Sequence, residues 1–557
     1  MDCNEIIQSN DVYDIIIARE DEARITLAPE CIQPVSGQYD VYYYNRDRIP
    51  PLSLQEYTYS AIPNCFGLVD SAALEESGIL QLQNQPALSL RGQGVLVGFI
   101  DTGIAYENIC FRNSDGTTRL VAIWDQTGNE APPDGFLYGR EYTREEINRA
   151  LASENPRELV PEQDEDGHGT LIASIACGSE DTANNFVGAA PLSDILVVKL
   201  KPAKPHLKEF YYIPENAVVY QENDIMTAVD YLDGKARELG MPLIICIALG
   251  TNNGSHSGSG VLAGLLNYVA GVWNRCVVAA TGNEANARHH FFGISDGGNN
   301  PVTVEINVDQ NMPGFYLELW ANAPELFAVS IRSPGGVLLS PTVIRVGGHQ
   351  EYMFLLENTR VEVDYRTVGR TRGDQLVFIR FDRASRGIWT VYVYPTVSIT
   401  GRFHVWLPMT GMLPSDVVFL QPNPDTTLTS PSTATIPISV GGYNVANGAL
   451  YLESGRGYTS ANEIKPDFCA PAVNVQGVGL RGNYIAATGT SIAAAITTGA
   501  CAQIMEWGVL RRHERSLNSV EIGNILIRGC KRDPDRTYPN NQWGYGKLEA
   551  YQAFQNM

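Results

Sequence analysis

Two textures alternate along this chain. Between about residues 60 and 290, short runs made wholly of apolar residues alternate with longer stretches of helical period. The apolar runs Val95–Ile100, Ile195–Lys199, Leu243–Ala248 and Cys276–Ala280 read as strands buried on both faces. Asp224–Leu239 and Gly260–Trp273 read as helices between them. Strand and helix in alternation predict an α/β core around a parallel sheet. From about 295 to 435 the helical period disappears and a period of two takes over. Val302-Thr303-Val304-Glu305-Ile306-Asn307-Val308 alternates cleanly. Phe315–Trp320, Phe327–Ile331, Val361–Tyr365, Leu376–Phe381, Trp389–Tyr394 and Phe403–Leu407 are further candidates, separated by turns such as Pro334-Gly335-Gly336 and Arg372-Gly373-Asp374. Many short strands at this spacing predict an antiparallel sandwich or jelly roll. Trp389 and Trp406 lie in alternating strands and read as core. The α/β texture resumes near 436, so the β-rich unit is an insertion.

The first 58 residues stand apart. Tyr13–Ala18 and Tyr39–Tyr44 read as strands, and Ile49-Pro50-Pro51-Leu52 reads as a break. The expected division is therefore 1–58, 59–294, 295–435 and 436–557. A chain of 557 residues is long enough for several such units. The stretch Lys201–Pro214 exceeds what a bare connection needs and is expected to shape a wall of a cleft.

Charge narrows the function. The net charge of −22 argues against nucleic acid and against docking on an anionic membrane surface. The N-terminus begins Met1-Asp2-Cys3-Asn4-Glu5, without the basic and apolar regions of a secretory signal. No run approaches the length of a membrane-spanning helix. The ten cysteines form no Cys-x-x-Cys pair, and most lie in apolar contexts. They are expected to be small buried thiols of a reducing, cytoplasmic or spore-associated compartment. No zinc, phosphate-loop or dinucleotide motif is present, so no cofactor is expected; acidic loops exist but none has a recognisable calcium-ligand spacing, which leaves structural calcium open.

Three stretches carry candidate chemistry. Gly489-Thr490-Ser491 runs into the Ala-rich stretch Ile492-Ala493-Ala494-Ala495, which places a serine at the start of a helix, where the dipole favours negative charge. A serine nucleophile needs a base, and the base needs an orienting acid. Asp101-Thr102-Gly103 follows the apolar strand, and Asp166-Gly167-His168-Gly169-Thr170 opens a second small-residue helix. Each motif alone is more often a turn or a helix cap than a catalytic element. Their order, Asp101, His168, Ser491, resembles that of the subtilases.

Further landmarks extend the resemblance. Cys276–Glu284 resembles the subtilase strand and turn that carry the oxyanion asparagine, which implies that role for Asn283. Ala248-Leu249-Gly250 resembles the segment lining the pocket for the P1 side chain, and with Gly282 is expected to bind substrate. Gly188-Ala189-Ala190-Pro191, Lys465-Pro466-Asp467 and Gly544-Tyr545-Gly546 match in order. One departure is Ala495, where many subtilases have proline; alanine preserves the helix. The inserted sandwich resembles the Csp-type germination proteases of clostridia and related anaerobes, whose inserted domain is a jelly roll. That resemblance implies serine endopeptidase chemistry and limited proteolysis of a precursor such as a spore cortex-lytic enzyme. It also implies that the leading unit is an intramolecular inhibitory propeptide, with a self-cleavage junction expected between residues 55 and 62, near Thr58-Tyr59; the acidic cluster Glu20-Asp21-Glu22 is not expected to decide that cut. Two other readings remain: a catalytically silent sensor or regulatory protein that keeps the fold, and a protein whose sandwich binds carbohydrate or a partner.

Overall fold

The computed structural model describes residues 2–19, 27–68, 77–86, 88–298, 300–339, 347–369, 373–414 and 416–557. Glu20-Asp21-Glu22 and Arg372 lie outside the described residues.

The apolar runs form one eight-stranded sheet in the order Phe468–Pro471, Ile438–Tyr443, Arg275–Ala280, Leu243–Ile247, Leu96–Asp101, Asp194–Lys199, Leu120–Asp125 and Arg140–Thr143. Every pairing is parallel except the last, between Leu120–Asp125 and Arg140–Thr143. Alternate residues of the central strands serve two separate cores. Val97, Phe99, Ile244, Cys246 and Val278 face the helices His168–Cys177, Thr490–Met505 and Ser519–Gly529. Leu96, Ile100, Leu243, Ile245 and Val277 face Glu222–Leu239 and Val261–Ala270. Both faces are covered, so the strands need apolar residues at every position.

The leading residues form a helix, Cys3–Gln8, and a three-stranded antiparallel sheet in the order Val12–Ala18, Tyr39–Asn45, Cys31–Val35. Its apolar face, including Ile7, Val12, Ile16 and Tyr43, joins the second core of the eight-stranded sheet. A buried ion cluster fixes the contact. Asp14 Oδ1 accepts from Lys204 Nζ at 2.5 Å, and Asp14 Oδ2 accepts from Gln221 Nε2 and Asn223 Nδ2 at 3.0 and 3.1 Å. Lys201 pairs with Asp224 at 2.6 Å. Removing one member of such a cluster leaves an uncompensated buried charge. One expectation changes here. Cys3 and Cys31 are joined by a disulfide, because the first helix folds back onto the strand that Cys31 opens; the other eight cysteines are buried thiols. Lys201–Pro214, expected to shape a cleft wall, bridges two other parts of the chain: His206 meets Tyr13 of the leading unit, while Phe210 and Tyr211 meet Phe378 and Tyr316 of the inserted strands.

The period-two region forms two antiparallel sheets. One has six strands in the order His290–Ile294, Arg402–Trp406, Gly314–Ala321, Asp374–Asp382, Thr359–Val368, His349–Phe354. The other has four, in the order Leu326–Arg332, Gly387–Val397, Val302–Val308, Val417–Phe419. Phe315, Leu317, Val377 and Ile379 of the first sheet share one core with Val304, Ile306, Trp389 and Val391 of the second. The strands of these sheets can be set beside the expected bounds of 295 and 435. The first strand begins at His290 because it pairs with Arg402–Trp406, and the last ends at Phe419.

The chain around Thr58-Tyr59, where the self-cleavage junction is expected, is packed. Leu52, Leu54, Tyr59 and Ile62 are buried in a core shared with Tyr316, Trp320 and Phe378 of the inserted sheet. The Tyr59 hydroxyl donates to both carboxylate oxygens of Glu318 at 2.9 and 3.0 Å, and Trp320 Nε1 and Gly254 N donate to Glu318 Oε2 at 2.7 and 2.9 Å. Burial pushes the Glu318 carboxyl up to about 7, against three donors that favour its ionised form. The folded state therefore holds a proton that the unfolded chain has released. The resulting stabilisation is full below the ordinary carboxyl range and is lost as pH rises through about 7. Glu318→Gln should flatten the fall in unfolding free energy between pH 5 and 8, which for the wild type is at most on the order of 3 kcal/mol from this group. Urea unfolding at the two pH values checks it; an unchanged slope in the variant would contradict the assignment.

Candidate active site

The carboxyl edge of the parallel sheet gathers residues that are hundreds of positions apart. Asp101 ends the central strand, His168 opens one helix, and Ser491 is the second residue of another. His168 Nδ1 lies 2.7 and 2.9 Å from the two Asp101 carboxylate oxygens, and His168 Nε2 lies 3.4 Å from Ser491 Oγ. All three side chains are buried. Glycine makes the close approach possible: a Cβ at Gly169 would fall 2.2 Å from the Gly103 carbonyl oxygen. The structure thus brings together Asp101, His168 and Ser491 in the order the sequence implies.

Asn283 lies beyond the strand Arg275–Ala280. Its Oδ1 accepts from the backbone N–H and the hydroxyl of Thr490, each at 3.2 Å. A backbone N–H can only donate, so these bonds fix which way the amide is turned. The other amide atom, Nδ2, is therefore the donor end of this side chain. Ala248 follows the next strand of the sheet. Leu249–Gly250 is itself a short strand that pairs antiparallel with Cys65–Leu68, with Gly250 opposite Gly67 and Leu249 opposite Leu68. On its other side Cys65–Leu68 pairs with Tyr220–Gln221. Gly282 is buried behind, with φ of 83°.

The sequence pattern does not reveal the residue that fastens this arrangement. Asp164 Oδ1 accepts from the Thr102 hydroxyl and Gly167 N at 2.7 and 2.8 Å; Asp164 Oδ2 accepts from the Thr170 N–H and hydroxyl at 2.9 and 2.7 Å. The Thr102 hydroxyl in turn accepts from Gly169 N at 2.9 Å. One carboxylate therefore ties the turn after Asp101 to the first turn of the His168 helix. An acid just before a helix start is a cap signal, but Asp164-Glu165-Asp166 presents three acids and no spacing that selects the first. Close by, Glu162 Oε1 accepts from Ile104 N at 3.1 Å, and burial pushes its carboxyl up to about 8.

The loop after Gly250 is braced by the inserted sheet. Tyr316 donates to Asn253 Oδ1 at 2.7 Å, Gly254 N donates to Glu318, and the His256 ring stacks on Trp406 at 4.0 Å. Asn252 Nδ2 donates to Glu284 Oε2 at 3.0 Å and to the Leu407 carbonyl at 3.2 Å. Among the described residues no group of three or more His, Cys, Asp or Glu side chains is arranged to hold a metal ion. No helix among them is long and apolar enough to cross a membrane.

Comparison with known proteins sharpens what this geometry is for. The profile of the Subtilase family matches residues 92–312 and 417–546. The chain belongs to the subtilase family. Membership makes it a subtilisin-like serine endopeptidase in class, and the gap in the match falls within the inserted sheets. Among solved structures, the CspB protease of Clostridium perfringens is similar with a TM-score of 0.76 at 30% identity, covering 86% of this chain and 97% of that one. Among curated proteins, the subtilisin-like protease SBT2.2 of Arabidopsis thaliana is 29% identical over 155 residues, which are 25% of this chain and 17% of that protein. The chain thus spans under a fifth of the length of that curated relative.

Removing the Asp164 carboxylate should loosen both loops at once. Asp164→Ala is expected to cost about 2–3 kcal/mol in stability, as for a charged acceptor whose donors are left buried. Turnover should fall by roughly 10²-fold, as for a small misplacement of catalytic groups, with KM changing far less. Chemical unfolding and steady-state kinetics on one peptide check both; a stable variant with wild-type turnover would contradict the role.

Proposed function

We propose that the chain is an endopeptidase whose first substrate is its own leading segment. The observation that carries this is the strand Cys65–Leu68. It lies between Leu249–Gly250 and Tyr220–Gln221 in a three-stranded antiparallel sheet. A peptide bound to a protease by strand addition makes such a ladder. The leading segment is then first substrate and afterwards a product-like inhibitor, kept in place by the ion cluster at Asp14. The scissile bond belongs after Val69 or shortly beyond it, where the P1 residue is no larger than the slot at the nucleophile admits, and not near Thr58-Tyr59, whose neighbourhood is packed against the inserted sheet.

In the chemical step Ser491 Oγ attacks the scissile carbonyl carbon while His168 Nε2 takes its proton. Asp101, on His168 Nδ1, holds the imidazole in the needed tautomer and stabilises its charged form. The developing oxyanion is met by Asn283 Nδ2 and the Ser491 N–H. His168 then returns the proton to the leaving amine, and water attacks the acyl-enzyme in the same manner. The 3.4 Å between His168 and Ser491 is a resting distance that substrate shortens.

We further infer that the inserted jelly roll braces the substrate-binding loop after Gly250 and positions a protein substrate. The likeness to CspB supports limited proteolysis of a protein precursor, such as a spore cortex-lytic enzyme, in a cytoplasmic or spore-associated setting. The leading unit, the catalytic core in two parts and the insert are the domains this reading requires.

Purified wild-type protein should show a new N-terminus at Asp70 or within the next two residues, and Ser491→Ala should remain one uncut chain. N-terminal sequencing and intact mass decide it. A wild type that cleaves peptides while its own chain stays uncut would overturn the propeptide reading.

A further inference from the structure

The slot beside the candidate nucleophile is partly filled by one side chain. Its walls are the backbones at Gly250 and Gly282, which follow neighbouring parallel strands of the sheet. The segment Thr429-Ser430 closes it by bonding to both walls. Thr429 N donates to the Thr281 carbonyl at 3.0 Å, and Ser430 exchanges backbone hydrogen bonds with Thr251 at 2.8 and 3.0 Å. The Thr429 side chain stands in the gap: a Cβ at Gly250 would lie 2.4 Å from Thr429 Oγ1, and a Cβ at Gly282 would lie 2.4 Å from Thr429 Cγ2. Thr429 is fully buried, and its hydroxyl has no hydrogen-bond partner among the described residues.

We propose that Thr429 sets the substrate preference of this site by limiting the P1 side chain to valine or smaller. The inference rests on the reading of Ser491 as nucleophile and of Ala248–Gly250 as substrate-binding. Its physical basis is steric. The P1 side chain enters between the Gly250 and Gly282 backbones, and the branched Thr429 side chain already occupies the depth that an aromatic or long aliphatic group would need. The walls cannot part to admit one, because Thr429 and Ser430 tie them together through the backbone. Thr429 follows the last inserted strand, Val417–Phe419, by ten positions, so the return from the insertion also shapes the slot. The unpartnered hydroxyl adds a polar group at the bottom, which disfavours a large apolar side chain there.

The test uses full-length protein and tetrapeptide p-nitroanilides that differ only at P1: Gly, Ala, Ser, Val, Leu and Phe. Wild type should favour Ala or Ser over Phe by at least about tenfold in kcat/KM, within the range that pocket shape can give. Thr429→Gly should shrink or invert that ratio, and Thr429→Ser should fall between them. A wild type that turns over the Phe substrate as well as the Ala substrate would overturn the proposal. So would a folded Thr429→Gly or Thr429→Ser variant with an unchanged ratio. A small fluorophosphonate keeps the two readings distinguishable: labelling of Ser491 together with a Phe preference defeats only the role of Thr429, whereas no labelling defeats the nucleophile assignment and this inference with it.

Discussion

Everything at the active site depends on one constraint: three side chains on three separate elements must meet at the carboxyl edge of a single sheet. The sheet supplies Asp101 at the end of its central strand. The helices that supply His168 and Ser491 both pack on one face of that sheet, in one apolar core. Packing alone sets positions only to the size of a side chain, whereas the Asp101–His168 hydrogen bond needs closer tolerance. Asp164 supplies it by accepting four hydrogen bonds from the two loops that carry Asp101 and His168. A charged acceptor shared by several buried donors is rigid, because moving it strands them all.

The inserted sheets act through the same logic at longer range. They contribute none of the side chains of Asp101, His168 and Ser491. They contribute Tyr316, Glu318 and Trp406, which hold the loop after Gly250, and their return segment closes the slot through Thr429. The leading unit is held from two sides, by the Asp14 cluster against the catalytic core and by Tyr59 against Glu318. Those contacts make the leading residues, the core and the insert one packed body, in which the strand Cys65–Leu68 lies along Leu249–Gly250 as a bound peptide would.

The parallel core was legible in the sequence because strands buried on both faces are apolar throughout. The antiparallel strands were legible where one face alone is buried, as in Val302–Val308, which alternates; Gly314–Ala321 is buried along its whole length because its second face packs in the core that holds Tyr59 and Phe210. That Asp101, His168 and Ser491 come together was legible from motif order. The packing around Thr58-Tyr59 was not: nothing local shows that the inserted strands, hundreds of positions later, bury Tyr59 and Ile62. The Cys3–Cys31 bond was hidden for a like reason, since it depends on a fold-back of the first helix. Asp164 was hidden among neighbouring acids that are surface-like in composition. Thr429 was hidden because its importance lies in a gap between two glycines that only the tertiary structure closes.

The proposed chemistry requires Asp101, His168 and Ser491 to act as one unit. The most direct measurement is the rate at which a small fluorophosphonate modifies Ser491 in wild type and in Asp101→Asn, at equal fold as judged by circular dichroism. The expected loss is on the order of 10⁴, the size found when the orienting acid of a serine protease is neutralised. Equal rates in the two proteins would contradict it.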